Sequence, residues 1–305
     1  MRIGVTARVS GRGQDAIEGL LGDARHADEH GLEFWLVQVH DIDALTALAV
    51  IGRAVPGLRV GTAVVPIYAR HPIVMAMQAL TVQAATGNRL TLGVGLSHKM
   101  MIEGVFGLSF ARPIAHMREY LEVLMPLLHE GKAEHEGLEI TARTITPMEV
   151  PGAQAPPVLV AALGTQMLNL AGRLADGTSL WLVGPNTIAD HIVPTITRAA
   201  DAAGRPRPQV YASLPVTVTA DPTAARETAA TEYSWYGTVP SYRTMLDREG
   251  VQGPGDVAIV GDEEAVAAQL HHLFEMGATG FRASVFGTAE EQRRTYSLLS
   301  ELVKT

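Results

Sequence analysis

The sequence predicts an α/β fold: a (β/α)8 TIM barrel with an insertion after the fourth strand. Three observations carry this expectation. β-type and helical segments alternate along all 305 residues. Several of the β-type segments are unbroken apolar runs, as in a parallel sheet covered on both faces. The length suits a barrel, which typically takes about 250 residues and more with insertions. An open doubly wound sheet is the competing arrangement, and two smaller domains the competing count. We expect one domain over 1–305, with the insertion at about 97–157.

Taken in order, Ile3 to Ala7 is the first expected strand. An amphipathic helix from about Asp15 to His30 follows and stops at Gly31, a natural C-cap. Phe34 to Val39 is the second strand, and Ala44 to Ala54 a helix ending before Pro56. Leu58 to Val65, Ile73 to Ala85 and Leu90 to Val94 give the third strand, its helix and the fourth strand. The alternation then breaks. Ser97 to His129 reads as two helical stretches, with Pro113 at a helix start, and 131–157 is polar, rich in Pro and Gly, with short β-type pieces such as 139–144. Val158 to Ala162 resumes the pattern. A helix over 165–174, a strand over 177–182, a helix over 187–203 and a strand over 209–218 continue it. One helical region is expected over 222–248, a turn-rich connector over 250–261 and a helix over 263–276. Phe281 to Val285 is the eighth strand, and 289–302 the closing helix.

Hydrophobic residues make up 47% and charged residues 18%, ample for a buried core. The formal net charge of -8 argues against a nucleic-acid binder but permits an anionic cofactor held by a few Arg and backbone N–H groups. With no cysteine, disulfides and thiolate metal sites are excluded, which suits a cytoplasmic protein. The start MRIGVTARVS lacks a signal-peptide pattern, and no apolar run reaches the ~18 residues of a membrane span.

Several short motifs allow two readings. Gly93-Val-Gly95 follows a strand, but the third glycine of a dinucleotide fingerprint is replaced by His98. A glycine-rich loop at the C-terminal rim of a barrel, where backbone approaches a flat cofactor, fits better. His26 and His30 share the i,i+4 spacing of a metal pair, yet no HExxH is present and the segment reads as the solvated face of a helix. There is no GxSxG elbow and no P-loop. We expect no metal. His40 ends the second strand, at the barrel end where chemistry occurs, so it is either a proton donor or a rim histidine without chemistry. Arg70-His71-Pro72 and Leu163-Gly164-Thr165 each open a helix. Each either caps that helix or binds an anion there.

Together these segments resemble the luciferase-like monooxygenase superfamily, in its actinobacterial coenzyme F420-dependent oxidoreductase branch. The resemblance spans nearly the whole chain. It is strongest over 61–72 (GTAVVPIYARHP), followed by 75–83 and 89–95 (RLTLGVG), with further matches at 112–113 through 116–120, 160–164 (VAALG) and 171–177 (AGRLADG). It implies a TIM barrel, a bulged third strand with a cis peptide at Ala63–Val64, and a homodimer acting on a small molecule. Thr62, Ala63, Val64, Gly93, Gly95, Leu96, Ser97, Ala162, Leu163, Gly164 and Thr165 are the implied cofactor-binding residues, with His40 and His98 as catalytic candidates. The sequence departs from the sugar-phosphate dehydrogenase members of the branch. Val39 stands where an acidic residue is common, and Leu96-Ser97-His98 where those members carry a Glu, so that activity is not expected. The implied reaction is hydride transfer between the deazaflavin C5 and an activated C=C, C=N or carbonyl/alcohol. The alternatives are an FMN-dependent monooxygenase and a non-catalytic F420-binding barrel.

Overall fold

Eight parallel strands close on themselves in the computed structural model, which describes residues 1–7, 15–38 and 42–304. In order they are Ile3–Ala7, Glu33–Leu36, Val60–Thr62, Leu90–Gly95, Val158–Val160, Gly177–Ser179, Gln209–Val218 and Gly280–Val285. The seventh closes the barrel. It pairs with the sixth through Gln209 opposite Gly177, and with the eighth through Tyr211 opposite Gly280. The eighth pairs with the first through Ile3 opposite Phe281. A short run, Val65–Pro66, continues the third strand beyond a bulge and pairs with the end of the fourth. The bond Ala63–Val64 lies in that bulge and is cis.

Side-chain parity divides the core in two. Outward residues such as Phe34, Leu36, Leu92 and Phe281 pack under the helices and are buried. Inward residues include Trp35, Leu159 and Tyr211, which cluster inside the barrel with Ala63 against them. The glycines on neighbouring strands make room for these rings. A Cβ at Gly61 would lie 2.4 Å from the Trp35 ring, and one at Gly280 would lie 2.5 Å from the Tyr211 ring. Below the rings, Glu33 is 6% exposed but fully engaged. It pairs with Arg2, and its Oε2 accepts from Trp35 Nε1 at 3.0 Å and Tyr211 Oη at 3.3 Å.

The expected eight strands all form, and the differences lie between them. Pro113–Glu130 packs against the helices Pro72–Thr86 and Thr165–Leu174, so it serves as the barrel's own fourth helix rather than as an excursion. What projects from the barrel is the helix Lys99–Gly104 and the hairpin of Glu134–Glu136 with Thr141–Arg143. The buried Glu119 carboxylate pins that hairpin by accepting from the N–H groups of Glu139 and Ile140 at 2.8 and 2.9 Å. The helical region expected over 222–248 is two helices, Pro222–Glu232 and Pro240–Glu249, joined by a tight turn over Ser234–Thr238. Pro240 cannot continue an upstream helix and instead begins a new one. The expected connector over 250–261 ends in a short strand, Ile259–Gly261, which pairs with Val216–Val218. The helix expected over 187–203 starts at Pro185 and contains a wide turn, Ile188–Ile192, before Val193–Ala202. Pro194 has no N–H to donate into the preceding turn. No helix among the described residues is long and apolar enough to cross a membrane.

Candidate active site

A cavity of about 940 Å³ opens at the C-terminal ends of the strands. That rim carries the active site in TIM barrels. The bulge contributes Ala63, Val64 and Pro66, and the fourth-strand loop contributes Gly95, Leu96, Ser97 and His98. The fifth-strand loop adds Leu163 and Gly164. Most of the expected cofactor residues therefore meet in one place. Thr62, Gly93 and Ala162 do not line the cavity but stand behind it. Thr62 and Ala162 are fully buried. Thr62 Oγ1 accepts from Gly93 N and donates to Gly93 O, both at 2.8 Å, which locks the bulge to the fourth strand. Glycine is required at 93, because a Cβ there would lie 2.0 Å from Thr62 O. Thr165 is exposed at the first turn of the helix Thr165–Leu174, whose N-cap Gly164 makes no side-chain capping bond. The first N–H groups of that helix face the rim uncapped, an arrangement that suits an anion.

His98 lines the cavity with its ring edge-on to Trp235, 4.8 Å between centroids. Burial holds its pKa below the usual histidine value, so it is neutral at pH 7. The preceding Ser97 has a left-handed backbone, φ 62, an unfavourable conformation that clusters at functional sites. His40 lies outside the described residues. Arg70 lines the cavity but is committed to an ion pair with Asp43, and Tyr120 Oη donates to its carbonyl at 2.9 Å. His71 caps its helix, accepting from Ile73 N through Nδ1 at 3.3 Å. At Arg70-His71-Pro72 the capping reading therefore describes what is seen. His26 and His30 pack on Tyr296 of the closing helix, with centroids 4.4 and 5.5 Å away, while the His26 side chain stays 44% exposed on the helix surface. No cluster of metal-ligating residues occurs among the described residues.

The sequence reading missed the cavity's floor and its far wall. Arg282, from the middle of the eighth strand, crosses the barrel interior. Its Nη2 donates to Ser179 Oγ at 2.9 Å and Leu180 O at 3.0 Å, and its guanidinium lies 5.0 Å from the Trp35 ring centroid. It is 3% exposed. Burial pulls its pKa down to about 10, so it remains charged at neutral pH. Trp181, Trp235, Tyr236 and Tyr242 form an aromatic wall, with Tyr236 and Tyr242 4.9 Å apart edge-to-face. A sequence signal existed for Arg282: it is the one charge in the strand Gly280–Val285. For the wall the available signal was Gly237 and Pro240, which break the expected helix between Trp235-Tyr236 and Tyr242; Trp181 comes from just beyond the sixth strand.

An uncharacterized protein of Mycobacterium tuberculosis is 30% identical over 206 residues, 63% of this chain, and the match spans 61% of that relative's length. The 5,10-methylenetetrahydromethanopterin reductase of Methanopyrus kandleri is 24% identical over 301 residues, covering 83% of this chain and 84% of the reductase. Among solved structures, the coenzyme F420-dependent tetrahydromethanopterin reductase of Methanopyrus kandleri superposes with a TM-score of 0.80 at 19% identity, covering 98% of this chain and 97% of its own. The monooxygenase RslO1 of Streptomyces bottropensis superposes with a TM-score of 0.77 at 20% identity, covering 99% and 98%. Residues 1–280 match the family described as luciferase-like monooxygenase. With that match over most of its length, and the eight-stranded barrel and rim cavity described above, the chain belongs to the luciferase-like monooxygenase family.

Proposed function

We propose that this chain is a coenzyme F420-dependent oxidoreductase that transfers a hydride between the deazaflavin C5 and a small organic substrate with an activated C=C, C=N or carbonyl/alcohol group. The observation that carries the reading is the gathering of the expected cofactor residues at one rim cavity: Ala63 and Val64 of the bulge, Gly95, Leu96 and Ser97, and Leu163 and Gly164 line it together. The uncapped helix start at Gly164-Thr165 suits a cofactor's phosphate. The choice of F420 rests on the similarity to the Methanopyrus reductase.

When bound, the deazaflavin supplies the carbon that carries the hydride. The protein's contribution is position, dryness and a proton. Ala63 and Val64 back the ring, with Gly95, Leu96 and Ser97 beside it. Leu163, Gly164 and the N–H groups from Thr165 onward hold the phosphate end. Thr62, Gly93 and Ala162 fix those backbones from behind. The aromatic wall keeps water from the reacting carbon. His98 presents a neutral imidazole that donates a hydrogen bond to the acceptor or takes a proton from an alcohol. His40 is the other residue assigned to that task. The protein is proposed to act as a homodimer in the cytoplasm.

Steady-state turnover with reduced F420 and a panel of enones and imines tests the reading. Oxidation of F420 coupled to loss of one of these acceptors is the expected result. An FMN-dependent monooxygenase on the same barrel is the second reading. It is favoured by the family's description and by the likeness to RslO1, and incorporation of oxygen into a substrate with reduced FMN, absent from an enzyme-free control, would establish it. F420 binding with no turnover of any acceptor would point to a non-catalytic carrier.

A further inference from the structure

Among the described residues nine buried side-chain polar atoms make no hydrogen bond; five of them, such as Tyr68 Oη and Thr217 Oγ1, belong to residues away from the cavity lining, and the other four gather at it. Arg282 Nε and Nη1, Trp181 Nε1 and Thr6 Oγ1 are all buried, make no hydrogen bond, and belong to residues that line the cavity. Buried polar groups in native proteins are nearly always satisfied, so a cluster of orphans around one cavity calls for an explanation. Three of the four are donors only, so the missing partner is an acceptor. Arg282 also makes no ion pair. Glu33, whose charge acts on it only at longer range, is already paired with Arg2. The other two cavity cations are matched, Arg70 by Asp43 and Lys99 by Glu103 at 3.7 Å.

We infer that the cavity floor is an oxyanion site, and that the substrate is a small organic carboxylate whose head group is held by Arg282. Ser179, Ser213 and Ser284, all nearly buried, supply hydroxyls from the strands around the guanidinium. Ser213 Oγ donates to the Arg282 carbonyl at 2.8 Å and so fixes the backbone that carries it. The carbon skeleton lies against the apolar and aromatic side of the cavity, near Trp181, Tyr242 and His98. The site at Gly164-Thr165, at the rim, is separate and takes the cofactor's phosphate. This inference rests on the proposed function for its division of the cavity between cofactor and substrate.

The test uses a matched pair of ligands on the whole protein: trans-cinnamate and its neutral isostere cinnamamide. Both are titrated calorimetrically into wild type and Arg282→Met, each with and without F420. Circular dichroism confirms that the variant is folded. The expected result is cinnamate binding at least tenfold tighter than cinnamamide in wild type, with that preference abolished in Arg282→Met and F420 affinity changed by no more than a few-fold. Equal affinity for the pair in wild type overturns the inference without need of the variant. A preference that survives Arg282→Met overturns it too. Loss of F420 binding in Arg282→Met, with cinnamate preference intact, assigns the site to the cofactor instead and overturns the substrate class. If wild type binds neither F420 nor FMN yet retains the cinnamate preference, the proposed function fails while the oxyanion site stands.

Discussion

Two charges are buried in the same barrel, and they are treated in opposite ways. Glu33 sits below the Trp35 and Tyr211 rings with its carboxylate oxygens taken by Arg2, Trp35 and Tyr211. Arg282 sits above the same rings with two of its three nitrogens unpartnered. A buried charge with its partners in place is a fixed part of the fold, and removing one member leaves the others stranded. A buried charge without partners costs stability for no structural return. The contrast separates a barrel end that is finished as folded from one that is completed by a ligand.

The first way to break the comparison carries the largest effect. Glu33→Ala strands Arg2, the Trp35 indole N–H and the Tyr211 hydroxyl, so it should destabilise the fold by about 3 kcal/mol. Denaturant unfolding measures this. A loss below about 1 kcal/mol would mean that Glu33 is not the anchor of the barrel floor.

His98 sharpens the comparison from the ligand side. His98→Ala should lower turnover by about 10²-fold and leave F420 affinity within a few-fold, as removal of a proton-handling group does. His40→Ala is the necessary parallel, since one histidine suffices for the proton. Unchanged turnover in both variants would remove acid–base chemistry by histidine from the account. The protonation state follows from burial. The fold favours the neutral ring, so the unfolded chain takes up the proton first as pH falls. The stability linked to this group is therefore complete above the usual histidine value of 6.5 and declines as pH drops through 6.5 toward the lower folded pKa. An NMR titration with the His98 signal identified by its loss in His98→Ala should give a midpoint below 6.5. A midpoint above it would contradict the burial.

The smallest expected effect makes the sharpest contrast with Glu33. Arg282→Met removes an unmatched charge and fills the space with an apolar chain, so the ligand-free protein should stay within about 1 kcal/mol of wild type. Destabilisation comparable to that of Glu33→Ala would show that Arg282 is a structural residue after all.

How much of this was legible in the sequence follows the same division. The eight strands were readable because parallel-strand cores are continuous apolar runs, such as 158–160 and 90–94. The rim loops were readable because Gly93, Gly95 and Gly164 punctuate strand ends, and at Gly93 any Cβ would strike Thr62 O. Interior polar residues were readable only in part: Arg282 stood out as the one charge in its strand, but its inward direction did not. Glu33 and Arg282 lie at inward positions of short strands, and inward differs from outward only once barrel closure sets the parity. The aromatic wall was hidden for another reason. Trp235 and Tyr236 sit in a tight turn between two helices, where Gly237 and Pro240 mark the break but nothing marks the rings as lining a cavity.

The central claim is that this cavity holds F420. Its most direct test is calorimetric titration of the cofactor-free protein with F420 and, separately, with FMN. The account predicts saturable one-site binding of F420, tighter than that of FMN. Micromolar FMN binding with no detectable binding of F420 would contradict it.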